Sequence, residues 1–554
     1  MSPRVSIVTA VFDPEPQHLA AFLASAARQT FGDLEHVVVD DASTRPHVAE
    51  ILDRVTGADP RVRVIRRETN GGIAVAGRDA LAAATGEYVG LLDHDDVLDD
   101  EAVTAMVAAL DDAGADVGYS DHDFIRDDGR FVTPCYKPDF SPERLRSQNY
   151  VTHFLMARRA LVERVGGLRD GFDGAQDHDL VLRLSEQTDR VVHVPRVLYH
   201  WRQSPTSVSS GPHKPWAFEA GRRAVADHCE RMGIDADVLA TDHEGCYRVA
   251  RRVRGEPLVS VVIPTRGSSG RVWGMTRTFV VDAVRSIVER STHQRLEFVI
   301  VHDADTPDPV LHALDAVAGD RLVLVPYAAP FNFSEKVNSG AMHASGDLLL
   351  LLNDDTELIE PASIEVLIGH LQTSGVGMAG AKLLFADGTL QHGGHVYNHA
   401  IGHACFGWPG DSPGPWPLRP LAVERECSGV TAAAALVHRS VFDEVGGFAT
   451  QLPLNYNDVD FSLKVRAAGH RIVWSPWACW YHFESRTRHS VLLDDEYAFV
   501  NQRWHDEINN DPYYNPNLQP DRNDWLERPL RSGAPPVESR PNAARRMVAR
   551  LQGR

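Results

Sequence analysis

Two stretches decide the fold, ATGEYVGLLDHDD at residues 84–96 and ASGDLLLLLNDD at residues 344–355. In each, a glycine precedes an apolar run that ends abruptly in acidic residues. Apolar runs without polar alternation are typical of strands buried on both faces of a parallel sheet. Each stretch therefore predicts a central strand that carries acidic residues at its carboxyl end.

The segments around these stretches also occur twice and in the same order. VSIVTAVF (5–12), HVVVDDAS (36–43), DHDLVLRLSE (177–186) and VPRVLYHWR (194–202) have the counterparts VSVVIPTR (259–266), FVIVHDAD (298–305), DVDFSLKVRA (458–467) and SPWACWYHFE (475–484). A long repeat of this kind indicates two copies of one domain.

Strand patterns alternate with helical patterns in both copies, for example at 16–29 and 278–290. This alternation predicts a Rossmann-like, mostly parallel α/β sheet in each copy. We expect a first domain at 1–212, a helical linker at 213–256, a second domain at 257–490 and a C-terminal extension with a tail at 491–554. The Gly-, Pro- and Trp-rich stretch 406–420 predicts a loop that lengthens the second copy.

The composition limits the classes of partner. The chain has 554 residues and a formal net charge of −20, which argues against a nucleic-acid backbone as its main partner. Six scattered cysteines predict a reducing compartment, and no apolar run reaches the length of a membrane span. We expect a cytoplasmic protein. Its basic end, 544–554, is either disordered or attached weakly to an anionic surface at the inner face of the membrane.

Acidic side chains at the strand ends suit a metal-assisted reaction. Asp93 and Asp95 are two residues apart, so on an extended segment both carboxylates face one side and can bind one hard cation. His200 and His482 recur within YH dipeptides, and imidazole with carboxylate favours Mn²⁺ over Mg²⁺. The second copy has Asn353 where the first has Asp93, so its site should depend more heavily on Asp355 and His482.

Each copy also has an acid at the start of a later helix, Asp177 in one and Asp458 in the other. Such a carboxylate is a helix N-cap or a general base that accepts a proton from an attacking hydroxyl. The acids two residues later, Asp179 and Asp460, lie about 200° further round the helix, so only one acid of each pair should face a site.

Together these motifs resemble a known family. VDDAS, GEYVGLLDHDD, GAQDHDLVLR and LYHWR in the first copy are similar to the motifs of inverting GT-A-fold family 2 glycosyltransferases. PFNFSEKVNSGA (330–341), LQHGG (390–394), NDVDFSLKVRAAG (457–469) and HFESRTR (482–488) resemble the polysaccharide and O-antigen branch of the same family. The resemblance covers roughly residues 4–210 and 257–520.

The resemblance implies a role for each matching residue, with a nucleotide-sugar as donor and a divalent cation as cofactor. The implied catalytic bases are Asp177 and Asp458. The implied metal ligands are Asp93, Asp95 and His200 in the first copy and Asp355 and His482 in the second. The implied donor-binding residues are Thr9, Asp41, Arg78 and Asp93 in the first copy and Thr265, Asp303, Asn338 and Asp354 in the second.

The implied reaction is a single displacement that inverts the anomeric carbon, with a glycan or lipid-linked glycan as acceptor. We expect two active copies, and the alternative is one catalytic copy beside one that only binds acceptor or donor. A nucleotidyltransferase would share the acidic sheet edge, but neither 9–16 nor 264–274 has the Gly-rich basic loop typical of that class. A scaffold without catalysis would not be expected to keep both acids and both histidines.

Overall fold

The computed structural model describes residues 2–126, 128–203, 215–483, 494–520 and 522–528. The chain divides into two compact units. The first lies within Met1–Gly233, Val238–Tyr247 and Glu527–Arg554, and the second within Ile234–Asp237 and Arg248–Leu526.

The first unit is built on one mixed sheet flanked by helices. Its strands are β1 (Val5–Val11), β2 (Leu34–Asp40), β3 (Val62–Arg66), β4 (Tyr88–Leu91), β5 (Val97–Leu98), β6 (Val117–Ile125), β7 (Phe131–Cys135), β8 (Leu155–Arg158) and β9 (Val191–Arg202). Its helices are α1 (Pro16–Ala27), α2 (Pro46–Ala58), α3 (Ile73–Ala83), α4 (Ala102–Asp112), α5 (Pro142–Ser147), α6 (Arg159–Arg164), α7 (Gln176–Ser185) and α8 (Pro215–Arg231). The short strands β10 (Ala236–Ala240) and β11 (Tyr247–Arg251) pair with each other.

The second unit repeats this plan with additional short strands. Its strands are β12 (Val259–Thr265), β13 (Ser269–Val272), β14 (Met275–Thr278), β15 (Leu296–Asp303), β16 (Leu322–Tyr327), β17 (Leu348–Leu352), β18 (Thr356–Leu358), β19 (Val376–Leu384), β20 (Leu390–His392), β21 (His395–Tyr397), β22 (Ile401–His403), β23 (Arg425–Glu426), β24 (Ala434–His438) and β25 (Arg471–His482). Its helices are α9 (Phe279–Arg290), α10 (Asp308–Ala318), α11 (Phe333–His343), α12 (Ser363–Leu371), α13 (Arg439–Glu444), α14 (Asn457–Ala467) and α15 (Asp494–Asn509), with a 3₁₀ turn at Gly319–Arg321.

The two sheets have the same topology. The strand order is β3-β2-β1-β4-β8-β6-β9-β5 in the first and β16-β15-β12-β17-β24-β19-β25-β18 in the second. The first four strands of each order are parallel, as in a Rossmann-like half, and β8 and β24 run antiparallel to their neighbours. The prediction of two α/β domains in one chain is confirmed.

A repeated polar contact fixes the start of the central strand in both units. Gly86 N donates to Ser6 Oγ at 2.8 Å, and Ser6 Oγ donates to Glu35 at 2.6 Å. A Cβ on Gly86 would lie 2.6 Å from Ser6 N, so the close approach of the two strands requires glycine there. The second unit repeats the arrangement with Ser260, Glu297 and Gly346.

The segment expected as a helical linker at 213–256 contains helix α8, which belongs to the first unit. Residues of α8 contact Glu186, which follows α7: His228 Nδ1 lies 2.8 Å and Arg231 Nη2 2.7 Å from Glu186 Oε1. The apolar face of α8 is buried at Ala217, Ala220 and Val225. The helix is therefore part of a domain rather than a free connection.

Replacing Glu186 with glutamine is expected to lower the free energy of unfolding at pH 7 by about 2 kcal/mol, because charge-assisted hydrogen bonds to a half-buried carboxylate are lost. Burial by itself raises the pKa of Glu186, but the bonds from His228 and Arg231 outweigh it and lower that pKa from 4.5 to about 2. The stabilisation is therefore present above pH 4.5 and is lost as the pH falls through about 2.

Urea titrations of the full chain at pH 7 and at low pH check this expectation. Glu219→Gln is the matched control, since Glu219 is an exposed residue of α8 that pairs with Arg222 of the same helix. An equal loss of stability for Glu186→Gln at both pH values would contradict the prediction.

Helix α15, which lies within the expected C-terminal extension at 491–554, packs into the second unit. Helix α15 buries Val500 and Ile508 in an apolar cluster of the second unit, and Trp504 Nε1 donates to Asp460 Oδ1 at 2.8 Å. The basic end at 544–554, for which we expect either disorder or weak membrane attachment, lies outside the described residues. Among the described residues, no helix is both long and apolar enough to cross a membrane.

Candidate active sites

The acidic edge of the first unit follows strand β4. The hydroxyl of Thr9, near the end of β1, donates to Leu92 O at 2.8 Å and so ties β1 to the start of this edge. Asp96 Oδ2 accepts from Tyr199 Oη at 2.5 Å, and Asp96 Oδ1 accepts from Arg202 N at 2.7 Å. The DHDD segment is therefore held against β9 by its last acid.

Two carboxyl groups at this edge have raised pKa values, because they are removed from solvent and lie close to other acids. Burial, with Asp95 and Asp177 nearby, raises the pKa of Asp93 to about 7. Burial, with Asp95 and Asp93, raises the pKa of Asp96 well above its usual value. Ionised together these groups repel one another, and a bound cation would relieve that repulsion.

The histidine expected beside these acids is placed elsewhere by the strand register. The DHDD segment (93–96) is aligned with the NDDT segment (353–356). His200 pairs with Val97, the residue after DHDD. His482 pairs with Thr356, the last residue of NDDT. The two YH dipeptides are thus one residue out of register, and neighbouring residues of a strand face opposite sides. Trp201, not His200, occupies the first-unit position equivalent to His482.

His200 instead contacts Asp123, whose Oδ1 lies 2.6 Å from its Nδ1, and its ring stacks on Phe131. In the described part of this unit, the structure instead groups Asp93, Asp96 and His153. Their possible metal-ligand atoms all lie within 4.8 Å of one another. The structure therefore does not group His200 with Asp93 and Asp95 in this way. Sequence reasoning missed Asp96, which the third acid of DHDD signals, and His153, for which we find no signal in the sequence.

His153 lies beside the acidic edge as a half-buried imidazole. Its ring stacks on Tyr199, with 4.6 Å between centroids. Burial, and the nearby Lys137, lower the pKa of His153 to about 3, so the ring is neutral at physiological pH. A neutral imidazole has the lone pair that a metal ligand needs.

Asp177 is placed beside the same edge by the start of helix α7. Asp177 Oδ2 accepts from Asn149 Nδ2 at 3.0 Å, and Asp177 Oδ1 accepts from His178 N at 2.8 Å. Burial raises the pKa of Asp177, which makes its carboxylate a stronger proton acceptor than an ordinary aspartate. Asp179 points away and is completely buried against Arg183 and a second guanidinium.

The expected nucleotide residues of the first unit differ in their contacts. Asp41 accepts from the backbone N–H groups of Gly71 and Gly72, each at 2.9 Å, and pairs with Arg67 Nε at 2.9 Å. These bonds hold the loop that precedes α3 close to the sheet edge. Arg78 is exposed on α3.

The acidic edge of the second unit is linked directly to strand β12. Thr265 Oγ1 donates to Asp354 Oδ2 at 2.6 Å. Burial, and the neighbouring Asp355, raise the pKa of Asp354 to about 7. This residue is aligned with His94 of the first unit, so Asp95 and Asp355 are the one pair of acids that the two edges have in common.

His482 lies at the second edge as expected from the sequence. Its Nε2 is 3.1 Å from Asp355 Oδ1 and 3.1 Å from Asn353 Nδ2, and its Nδ1 is 2.6 Å from Gln391 Oε1. Asn353 Oδ1 is buried and has no hydrogen-bond partner within the described ranges. A buried oxygen without a partner beside a carboxylate and an imidazole suits a cation ligand.

Two further residues expected to bind donor have contacts within the protein. Asp303 Oδ1 pairs with Nζ of the fully buried Lys336 at 2.6 Å, and the same ammonium donates to Thr265 O at 2.7 Å. The side-chain amide of Asn338 makes two bonds with the backbone of Phe448. Its Oδ1 accepts from Phe448 N at 2.8 Å, and its Nδ2 donates to Phe448 O at 2.9 Å. Asn338 therefore joins α11 to the loop after α13, and Lys336 is a charged group that sequence reasoning missed.

Asp458 repeats the geometry of Asp177 at the start of its own helix. Asp458 Oδ1 accepts from Val459 N at 2.9 Å, and its Oδ2 is 3.9 Å from His395 Nε2. Asp460 is buried and accepts from Trp504. In both units, the first acid of the pair is half-buried and the second is held in the core.

The fold defines a doubly wound α/β protein with an acidic edge beyond the carboxyl end of the central strand in each unit. Residues 6–165 and 260–446 match the family described as glycosyl transferase family 2. These residues are more than half of the chain, so the chain belongs to glycosyl transferase family 2.

The chain is similar to individual proteins over most of its length. The chain is 36% identical to the uncharacterized protein y4gI of Sinorhizobium fredii over 541 residues, which are 95% of this chain and 58% of the relative. It is 36% identical to the O-antigen biosynthesis protein RfbC of Myxococcus xanthus over 523 residues, or 93% of this chain and 40% of the relative. The chain thus spans about half the length of these relatives. A solved structure of S. aureus TarS 1-349 in complex with UDP-GlcNAc aligns with 41% of this chain and 66% of that chain, at 22% identity and a TM-score of 0.35.

Proposed function

We propose that the chain is a bifunctional inverting glycosyltransferase with one active site in each unit, which moves sugars from nucleotide-sugar donors to a growing glycan. The observation that carries this proposal is the repeated placement of a half-buried aspartate at the start of a helix, where its Oδ1 accepts from the next backbone N–H in both units. In the first unit this aspartate, Asp177, is close enough to the acidic edge to raise the pKa of Asp93. The family of the chain supports sugar transfer as the reaction.

The proposed reaction is a single displacement at the anomeric carbon of the donor sugar. Asp177 or Asp458 accepts the proton of the acceptor hydroxyl. The oxygen of that hydroxyl forms the new glycosidic bond to the anomeric carbon, and the bond from this carbon to the diphosphate breaks. Asn149 would orient Asp177 through its amide, and the bond from Val459 N would orient Asp458. Attack from the face opposite the leaving group inverts the configuration.

The residues at both edges fit a divalent cation. Asp93, Asp96 and His153, with Asp95 nearby, would hold it in the first unit, and Asp355 and His482 in the second. Carboxylate with imidazole favours Mn²⁺, with Mg²⁺ as the harder alternative. A cation bound there would stabilise the negative charge of the departing nucleoside diphosphate.

The donor nucleotide would occupy the neighbouring strand ends. In the first unit we assign Thr9, Asp41, Arg78 and Asp93 to it, and in the second Thr265, Asp303, Asn338 and Asp354. Their contacts support a positioning role: Asp41 fixes the loop at 70–72, and Asn338 fixes the loop at Phe448. Both loops border the edge at which a ligand of an open α/β sheet binds.

We further propose a glycan or lipid-linked glycan as acceptor, at the inner face of the cell membrane. The name of the Myxococcus xanthus relative, an O-antigen biosynthesis protein, supports a polysaccharide product. The basic segment 544–554 would supply weak peripheral contact with an anionic surface.

Removal of divalent cations is expected to lower donor turnover by at least about 100-fold, because the leaving diphosphate would lose its charge compensation. A screen of nucleotide-sugars with a glycan acceptor, read as nucleoside diphosphate release, identifies the donor first. The same assay is then run with EDTA and with EDTA plus an excess of Mn²⁺ or Mg²⁺. Full turnover in EDTA would overturn the role of the metal, and no turnover of any donor would count against the proposed function.

One active unit beside one that only binds donor or acceptor is the second candidate. It is favoured by the differences between the edges: the first has Trp201 where the second has His482, and the second has Asn353 where the first has Asp93. Separate substitution of the two proposed bases distinguishes these candidates.

A further inference from the structure

Three histidines form a cluster next to the second acidic edge, in the segment that carries β20, β21 and β22. His392, His395 and His403 each offer a ring nitrogen, and these nitrogens all lie within 4.8 Å of one another. His392 and His395 are buried, and His403 is half-buried. The ring centroids are 4.8 to 5.1 Å apart.

Hydrogen bonds within the cluster limit where its protons lie. His392 Nδ1 is 2.6 Å from His403 Nδ1, so at most one of the two nitrogens carries a proton. His395 Nδ1 is 3.2 Å from Tyr397 Oη, and if that nitrogen donates, His395 Nε2 has a free lone pair. The hydroxyl would then fix the orientation of the ring, as outer groups do around metal ligands.

The protonation of the cluster suits metal binding. Burial, with His403 and His395 nearby, lowers the pKa of His392 well below its usual value. Burial also lowers the pKa of His395 to about 4. Neutral imidazoles at physiological pH compete for a metal ion without first having to lose a proton.

We propose that His392, His395 and His403 bind one divalent transition-metal ion of the zinc class. Three imidazoles without a carboxylate prefer Zn²⁺ or Co²⁺ to the hard cations Mg²⁺ and Ca²⁺. Three protein ligands leave a fourth position of a tetrahedral site for water. The site is separate from the cation site at Asp355 and His482.

Binding requires only small local changes. Two ligands of one zinc ion, at about 2.0–2.1 Å from it, lie more than 3 Å apart in a tetrahedral site. His392 and His403 would therefore separate slightly from their present 2.6 Å. A turned His392 ring would lose the bond from Thr431 N to His392 Nε2, which is long at 3.3 Å.

The ion would join two parts of the proposed active site. Gln391, next to His392 in β20, contacts His482 at 2.6 Å. His395 contacts Asp458 at 3.9 Å. One bound ion would thus fix the segment that positions the proposed metal ligand His482 and the proposed base Asp458, which is a positioning role rather than a catalytic one.

Co²⁺ is the probe for this site, because tetrahedral Co²⁺ absorbs strongly in the visible range and octahedral Co²⁺ only weakly. Metal-stripped full-length protein is titrated with Co²⁺, and bound Co²⁺ is then displaced with Zn²⁺. We expect an intense visible band that saturates at one equivalent and disappears with Zn²⁺. Zn²⁺ should also raise the melting temperature, since it binds only the folded state.

The variants separate this site from the proposed active site. His392→Ala, His395→Ala and His403→Ala should each weaken Co²⁺ binding at least ten-fold. His343→Ala should bind as the wild type, because His343 is exposed and its ring bonds Ser339 O of its own helix. His482→Ala should keep the visible band.

Two results would overturn the proposal. One is a wild-type protein without the band at one equivalent of Co²⁺, which does not depend on the folding of any variant. The other is a band that persists in the cluster variants and is lost in His482→Ala. The spectrum is read without donor or acceptor, so its outcome is independent of whether the protein transfers sugars.

Discussion

Asp458→Asn is expected to lower sugar transfer by the second unit by about 10²–10⁴-fold, because an amide cannot accept the proton of the acceptor hydroxyl. The fold should be retained, since the side-chain oxygen of asparagine can still accept from Val459 N. Asp177→Asn should have the same effect on the first unit, where the bond from His178 N is likewise kept. Rates are measured as product formation under single-turnover conditions.

The double variant decides between the two candidate functions. Two active units predict that each single variant loses one transfer product and that the double variant loses both. If only one unit is active, one single variant abolishes all transfer and the other retains every product. Full activity in the double variant would refute the assignment of both bases.

Matched controls exclude a general effect of removing a carboxylate. Asp189→Asn and Asp443→Asn alter exposed acids in the respective units. Both should leave transfer within about two-fold of the wild type, as surface substitutions usually have little effect.

Asp179→Asn is expected to destabilise the first unit by about 3–5 kcal/mol while its neighbour Asp177 tolerates the same change. Asp179 has no exposed surface and accepts from Arg183 at 2.6 and 2.9 Å and from Arg169 Nε at 3.0 Å. Loss of its charge leaves the buried guanidinium of Arg183 without its counter-ion, which is costly in a low-dielectric environment.

Urea unfolding of the full chain measures this loss. Glu163→Gln is the control, because Glu163 forms an exposed pair with Arg159, and such pairs contribute about 0–1 kcal/mol. A loss below about 1 kcal/mol for Asp179→Asn would contradict the buried-pair argument. Normal stability with lost activity would instead place Asp179, not Asp177, at the reaction.

The sequence predicted the repeat because the segments that form the core of each unit have a pattern that fits few structures other than a buried strand. VSIVTAVF and VSVVIPTR must be buried on both faces, and the glycines at 86 and 346 are required where two strands approach closely. The separation of Asp177 from Asp179 also followed from helical geometry alone. These features depend on local patterning, which sequence reasoning reads well.

The positions of the histidines at the two edges could not be predicted in this way. His200 and His482 occur in the same dipeptide, but the pairing of β5 with β9 and of β18 with β25 differs by one residue. That offset turns His200 towards Asp123. Strand register is fixed by contacts between distant segments, so the sequence of either strand does not reveal it.

By itself, the sequence determined two α/β domains in one chain, an acidic edge after each central strand and the acid that begins each later helix. Only the tertiary structure decided which side chains meet at those edges: His153 rather than His200 beside Asp93, and Gln391 beside His482. It also brought His392, His395 and His403 together. Periodicity along one segment fixes which residues are buried, whereas a ligand set depends on where separate segments place their side chains.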